Sequence, residues 1–272
     1  MSEMIRELGT AAMNAALESN FAEEVASFGR GLPGGEVHQD QGFFWFFTDQ
    51  PSLNGVLMTR LTKDDDASIA AKIAETVRYF TSRQVSFGWD VGPSTQPANL
   101  GLFLEAQGFK QEGQTTGMAI DLLAINEDVT ASTELVISEI VDAVGLEAQR
   151  IIEMRGFGSS LETAQRYYDT YMHIGFGTGT PWHHYLGWLH DEPVATASLL
   201  LHAGVAGVYG VTTIPEARRQ GIGAAMTLHA MHVARTLGYR IAVLSPTEMS
   251  LQIYRRLGFQ EYCTIRHYWY EV

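Results

Sequence analysis

Two arginines and two glycines separate an apolar run from the start of a helical pattern in residues 211–234, VTTIPEARRQGIGAAMTLHAMHVA. Arg218 precedes Gly221 by three residues, and Gly223 follows two further on. A helix N-terminus leaves about four amide groups without intrahelical partners, and its aligned peptide dipoles amount to roughly half a positive charge. Phosphate binds at such ends. Glycine lets the backbone approach an anion with no side chain in the way, and Arg218 and Arg219 add positive charge. The spacing therefore suits the grip of a phosphate-bearing ligand at Gly221 and Gly223, with Arg218 and Arg219 beside them. A tight turn with solvated arginines is the plainer alternative. A P-loop is excluded, because no Gly-Lys-Ser/Thr follows the glycines.

Such a junction needs a strand before it and a helix after it. HYLGWLH, PVATASLLL and VAGVYGV read as strands broken at DEP and HAG, which predicts a three-strand meander ending at the junction. Ahead of it, ELVISEI reads as a strand, and residues 142–154 and 160–173 read as helices. After it come a strand, RIAVLSP, a short helix, EMSLQIYRRL, the pair Gly258–Phe259, and closing strands. The first half runs similarly. A helix covers the first 32 residues, with Ile5, Leu8, Ala12 and Ala16 on one stripe. GFFWFFTD and LNGVLMTRL are strands. The helix in DDDASIAAKIAETVRYF carries Ile69, Ile73, Val77 and Phe80 on one face. VSFGWDV, a short helix, Gly108–Phe109 and GMAIDLLA complete the half. LFLEAQGFKQEG, from Leu102, aligns with QIYRRLGFQEYC, from Gln252, without a gap. An internal repeat of this kind predicts a tandem duplication, with a polar boundary at NEDVTAST and domains at 1–125 and 132–272.

Arg218-Arg219-Gln220-Gly221-Ile222-Gly223-Ala224 resembles the (Arg/Gln)-x-x-Gly-x-(Gly/Ala) signature of the GNAT N-acyltransferase superfamily, and IYRRLGF downstream is similar too. The resemblance covers about the last 140 residues by motif and the first 125 by topology. It implies an α/β (α+β) fold of two GNAT-like domains, each a mixed, mostly antiparallel twisted sheet flanked by helices. It implies acetyl-CoA or another acyl-CoA as co-substrate, lying between strand 205–212 and strand 240–245. Amides of residues 219–224 would hold the pyrophosphate. Backbone groups of Val211, Thr212 and Thr213 would pair with the pantetheine arm, and an amide near Val211 would polarise the thioester carbonyl. Tyr254, four residues before Gly258, would be the acid that protonates the departing thiolate. The activity implied is transfer of an acyl group, acetyl first, to a primary amine of a small molecule or peptide by direct attack in a ternary complex. The alternative is a protein that binds or senses acyl-CoA without turnover.

The base is not evident. An amine of pKa near 10.4 is only about one part in a few thousand neutral at pH 7. Some members of the family use a glutamate on the strand before the loop, and VAGVYGV has no carboxylate. Tyr209, His202 and His173 are candidates for a water-mediated relay, and Glu216 reads as a helix cap. The first half departs further. Where the second half has RRQGIGAA the first has TKDDDASIAA, so Asp64, Asp65 and Asp66 would put negative charge where the pyrophosphate must sit, and Leu104 stands where Tyr254 does. Like charges about 4 Å apart repel by several kcal/mol in a partly buried site, so the first half is expected not to bind CoA.

Composition bounds the rest. The chain has 272 residues and a formal net charge of −13, which argues against nucleic acid or an anionic membrane as partner. No run of eighteen apolar residues suggests a membrane span. One cysteine, Cys263, excludes an internal disulfide, and the start lacks the layout of a signal peptide, so the expected location is cytoplasmic. His183, His184, His190 and the pair His229/His232 could suggest a metal, but His229 falls on an apolar stripe and the pair, three apart, has no third ligand in view, so no metal is expected. FFWFF reads as a buried strand, with a homodimer face as its alternative.

Overall fold

The apolar runs of the second half become strands, and the turns between them become hairpins. In the computed structural model, which describes residues 3–40, 42–61, 65–128 and 133–272, the elements fall into two units. One comprises Met1–Asn20 with Gly117–Tyr262, the other Phe21–Thr116 with Cys263–Val272. The units are discontinuous in sequence, which a cut at 125 and 132 does not anticipate. Residues 117–121, at the end of the first half, lie in the unit of the second, and the last ten residues of the chain lie in the unit of the first. Gly113 and Cys263, matched by the repeat, lie near these crossing points.

The first half begins with helix α1 (Ala11–Gly31) and strands β1 (Glu36–Gln39), β2 (Phe43–Phe47) and β3 (Gly55–Thr59). Helix α2 (Asp66–Thr81), strand β4 (Phe87–Val91), helix α3 (Leu100–Ala106) and strand β5 (Lys110–Asp121) follow. The second half contains β6 (Val136–Glu139), α4 (Ala143–Phe157), α5 (Leu161–Ile174), β7 (Trp182–Leu189), β8 (Glu192–His202) and β9 (Val205–Thr213). A 3-10 turn, Pro215–Ala217, leads to α6 (Ile222–Thr236), β10 (Ile241–Leu244), α7 (Leu251–Leu257) and β11 (Gln260–Tyr270). The helix at the start begins at Ala11, so Ile5 and Leu8 precede it; β1, too polar to be read from EVHQ, is an added strand.

In the unit built mostly from the second half, β6, β7, β8 and β9 pair antiparallel in sequence order. β10 joins β9 parallel, and residues 118–121 of β5 pair antiparallel with β10. Side chains alternate across a strand, and β7 shows the consequence. His184 meets Gln149 of α4 on one face, while Tyr185 meets His229 of α6 on the other. Leu199, Leu200, Ala206, Met226, Ala230 and Val208 are among the buried residues between sheet and helices.

In the other unit, β1, β2 and β3 pair antiparallel, β4 joins β3 parallel, and Arg266–Tyr270 of β11 pair antiparallel with β4. In FFWFF, Phe44, Phe46 and Phe47 are buried, and Phe43 and Trp45 are half-buried. Phe46 packs by Gly29 of α1, and Trp45 meets Tyr79 and Phe80 of α2 edge-on. Tyr268 lies in this core with Phe87, Trp89 and Leu104. The repeat is visible in three dimensions within each unit. α3 and α7 each end at a glycine of positive φ, Gly108 and Gly258, and each is followed by a buried phenylalanine, Phe109 and Phe259. No helix of the described residues is long and apolar enough to cross a membrane.

Candidate active site

β9 is laddered to β10 at Ala206–Ala242 and Gly207–Val243, and it runs on to Thr213 while β10 ends at Leu244. Its other edge stays paired to β8, but the register slips between Ser198–Tyr209 and Thr196–Thr212. Two residues of β9, Gly210 and Val211, thus oppose Ala197 alone. Gly210 has φ +57 there, and the Thr196 hydroxyl donates to its carbonyl at 2.7 Å. A bulge of this kind bends a strand and re-aims its backbone. Val211, in the bulge, and Thr213, past it, are half-buried, and Thr212 is buried.

The turn after β9 is held by Arg218. Its Nε donates to the Thr213 carbonyl at 3.1 Å, and its guanidinium donates to the Gly156 carbonyl on α4 at 2.6 Å. Arg218, expected to add charge for a phosphate, gives these hydrogen bonds to backbone carbonyls of the fold. Arg219 and Gln220 are exposed, and Arg219 takes φ +63, an unusual conformation for a residue with a Cβ. Gly221 is the N-cap of α6 at φ 73, ψ 0, and no side chain caps the helix. A Cβ added at Gly223 would meet Thr213 Oγ1 no closer than 4.0 Å, so there is room before the helix. Glu216 does not cap α6: its carboxylate pairs with Arg155 at 3.2 Å.

Helix α2 has the opposite chemistry. Asp65 is its N-cap and accepts the Ser68 amide at 2.8 Å, and Asp66 lies in the first turn. That bond, with the Ser68 side chain, holds the Asp65 carboxyl below the usual range. Asp64 lies outside the described residues.

Tyr254 of α7 is 7 % exposed. Burial pushes its phenol up to about 12, against the opposing influence of hydrogen bonds with Ser250 and Thr227. Thr227 in turn donates to the Gly223 carbonyl at 2.9 Å, so the phenol is one hydroxyl away from the first turn of α6. The structure thus brings Tyr254 and the glycine loop together.

It does not assemble the relay candidates. The Tyr209 hydroxyl donates to Asn20 at 2.7 Å, His202 bonds Ser19, and His173 is exposed at the end of α5. A different cluster lies beneath the bulge. Glu153 of α4 is 7 % exposed, and its Oε1 would be 3.0 Å from a Cβ added at Gly210. Gln149 donates to that oxygen at 2.8 Å and to Ser198 Oγ at 3.3 Å, while Ser198 bonds His184 Nδ1 at 2.7 Å. Burial raises the Glu153 carboxyl to about 7, opposed by the Gln149 bond, and lowers His184 to about 3. Sequence reasoning missed Glu153 by seeking a carboxylate on the strand. The available signal was Gln149 and Glu153 four apart on the face of α4 that also carries Leu146 and Gly156. Among the described residues no group of three or more His, Cys, Asp or Glu could hold a metal ion.

Residues 149–259 match the Acetyltransferase (GNAT) family model. Solved structures share the fold at low identity. A GCN5-related N-acetyltransferase from Kribbella flavida has a TM-score of 0.72 at 20 % identity, covering 97 % of this chain and 96 % of its own. A tandem GNAT protein from the clavulanic acid biosynthesis pathway has a TM-score of 0.66 at 14 % identity, with 96 % and 94 % covered. A GCN5-related N-acetyltransferase from Sphaerobacter thermophilus has a TM-score of 0.66 at 17 %, with 95 % and 90 % covered. No curated protein matches the sequence significantly.

Proposed function

We propose, from the premise that this chain is a tandem-domain member of the GNAT acetyltransferase superfamily, that it transfers an acyl group, acetyl first, from CoA to a primary amine of a small molecule or peptide. The observation that carries the reading is the start of α6: an N-cap glycine in the left-handed region, no capping side chain, and open space in front of Gly223. Free first-turn amides with the helix dipole behind them suit a diphosphate. The residues present fit acyl-CoA, which would supply an activated thioester. The amides of residues 219–224 would hold its pyrophosphate. Val211, Thr212 and Thr213, on the length of β9 beyond its ladder to β10, would take the pantetheine arm, and the Val211 amide would stabilise the developing oxyanion.

Tyr254 would serve the leaving group. With its pKa near 12 the phenol is fully protonated at neutral pH. An ordinary thiol ionises near 8.5, so the phenol stabilises the thiolate chiefly as a hydrogen-bond donor. α2, capped by Asp65, already holds its own anion, which supports one acyl-CoA site per chain, in the second half.

Calorimetric titration with acetyl-CoA, followed by thiol release with a panel of amines, tests the reading. Saturable binding with amine-dependent release is expected. Binding without release for any amine favours a sensor, and absence of binding refutes both.

A further inference from the structure

The proposed site has an acid and an oxyanion donor but no base on its strand. α4 supplies a carboxyl at the place where such a base would begin. An added Cβ at Gly210 would lie 3.0 Å from Glu153 Oε1, so this carboxyl occupies the start of the path a side chain from the bulge would follow. The absence of a side chain at Gly210 is what leaves room for it.

We propose that Glu153 is the general base of the acyl transfer, taking a proton from the acceptor ammonium beside the Gly210–Val211 bulge, with Gln149 as its positioning residue. This rests on the acyltransfer reading above. The acceptor ammonium gives one proton to the Glu153 carboxylate, and the freed lone pair forms the C–N bond. As the tetrahedral adduct collapses, the C–S bond breaks and the thiolate leaves with its electron pair. The second nitrogen proton ends on the thiol, and Glu153 later returns its own proton to water.

The surroundings suit that task. Gln149 fixes Oε1 from one turn away on α4, and the same amide bonds Ser198 of β8. His184 of β7 closes the chain through Ser198, and Tyr171 of α5 packs on its ring at 4.2 Å. The nearby cations on α4 are engaged elsewhere, Arg150 with Glu147 and Arg155 with Glu216. Burial is therefore the main influence on the carboxyl, and it brings the group to about 7, near the optimum for a base working at neutral pH. His184, held neutral, adds no charge to it.

The test is Glu153→Gln in the full chain, with the best amine of the panel. Expected are unchanged calorimetric affinity for CoA, a loss of kcat/KM of about a hundredfold or more, and disappearance of an acid limb near pH 7 in the kcat/KM profile. Gln149→Met removes a donor that lowers the carboxyl, so it should move that limb to higher pH; this variant decides the matter if Glu153→Gln does not fold. A purely structural Glu153 would leave the limb in place. An acid limb that survives Glu153→Gln, or one unmoved by Gln149→Met, overturns the proposal while the acyltransfer reading stands. A wild type that binds CoA but turns over no amine overturns both.

Discussion

Replacing Gly221 by aspartate separates the fold of the α6 junction from its use. Gly221 sits at φ 73, ψ 0, where a residue with a Cβ costs about 1–2 kcal/mol. An aspartate there also brings a carboxylate to the first-turn amides, as Asp65 does for Ser68 in α2. A capping bond contributes about 0.5–2 kcal/mol, so strain and cap largely offset and the thermal midpoint should move little. Ligand binding responds differently. A fixed negative charge about 4 Å from a phosphate costs roughly 4 kcal/mol at an effective dielectric near 20, close to a thousandfold in affinity. Gly221→Ala carries the strain without the charge and should keep most of the affinity. Calorimetry with CoA beside thermal unfolding of all three proteins measures both effects. If Gly221→Asp is folded and binds CoA as tightly as the wild type, the diphosphate does not sit on these amides and the reasoning is refuted.

Tyr254→Phe should lower turnover about tenfold or more with CoA affinity kept, as read by thiol release; equal turnover would remove Tyr254 from the chemistry. Glu153 is raised from 4.5 to about 7 in the fold, so the folded state binds more protons between those values. Wild-type stability should therefore fall by up to about 3 kcal/mol as pH rises across that window, and Glu153→Gln should lack this slope; parallel denaturant stability curves from pH 4.5 to 8 would contradict it. Arg218→Lys cannot keep the paired bonds to Thr213 and Gly156 in their present geometry and should cost about 1–3 kcal/mol in chemical denaturation. Tyr268→Ala, in the core completed by the last strand, should cost about 3–5 kcal/mol; an unchanged unfolding midpoint would show that the C-terminal strand does not belong to that unit.

The amino-acid sequence by itself determined much of this protein. Apolar runs and the turn residues between them specify the meander from Trp182 to Thr213, because both signals are local. Gly221 and Gly223 announce an uncapped helix start, and Asp65 announces a capped one, because capping depends on residues within a turn of the helix end. Gly108–Phe109 and Gly258–Phe259 disclose the repeat for the same reason. The sheet order was decided by tertiary structure. That Arg266–Tyr270 pair with β4, and that residues 118–121 pair with β10, follows from long-range hydrogen bonding that no local pattern encodes. The carboxyl beneath the bulge belongs to the same class. Glu153 and Gly210 lie far apart in the chain, and only the packing of α4 on β9 brings them together and dries the carboxyl enough to raise its pKa. Burial depends on what the rest of the chain places around a group, so the environment of Glu153 could not be read from its neighbours in sequence.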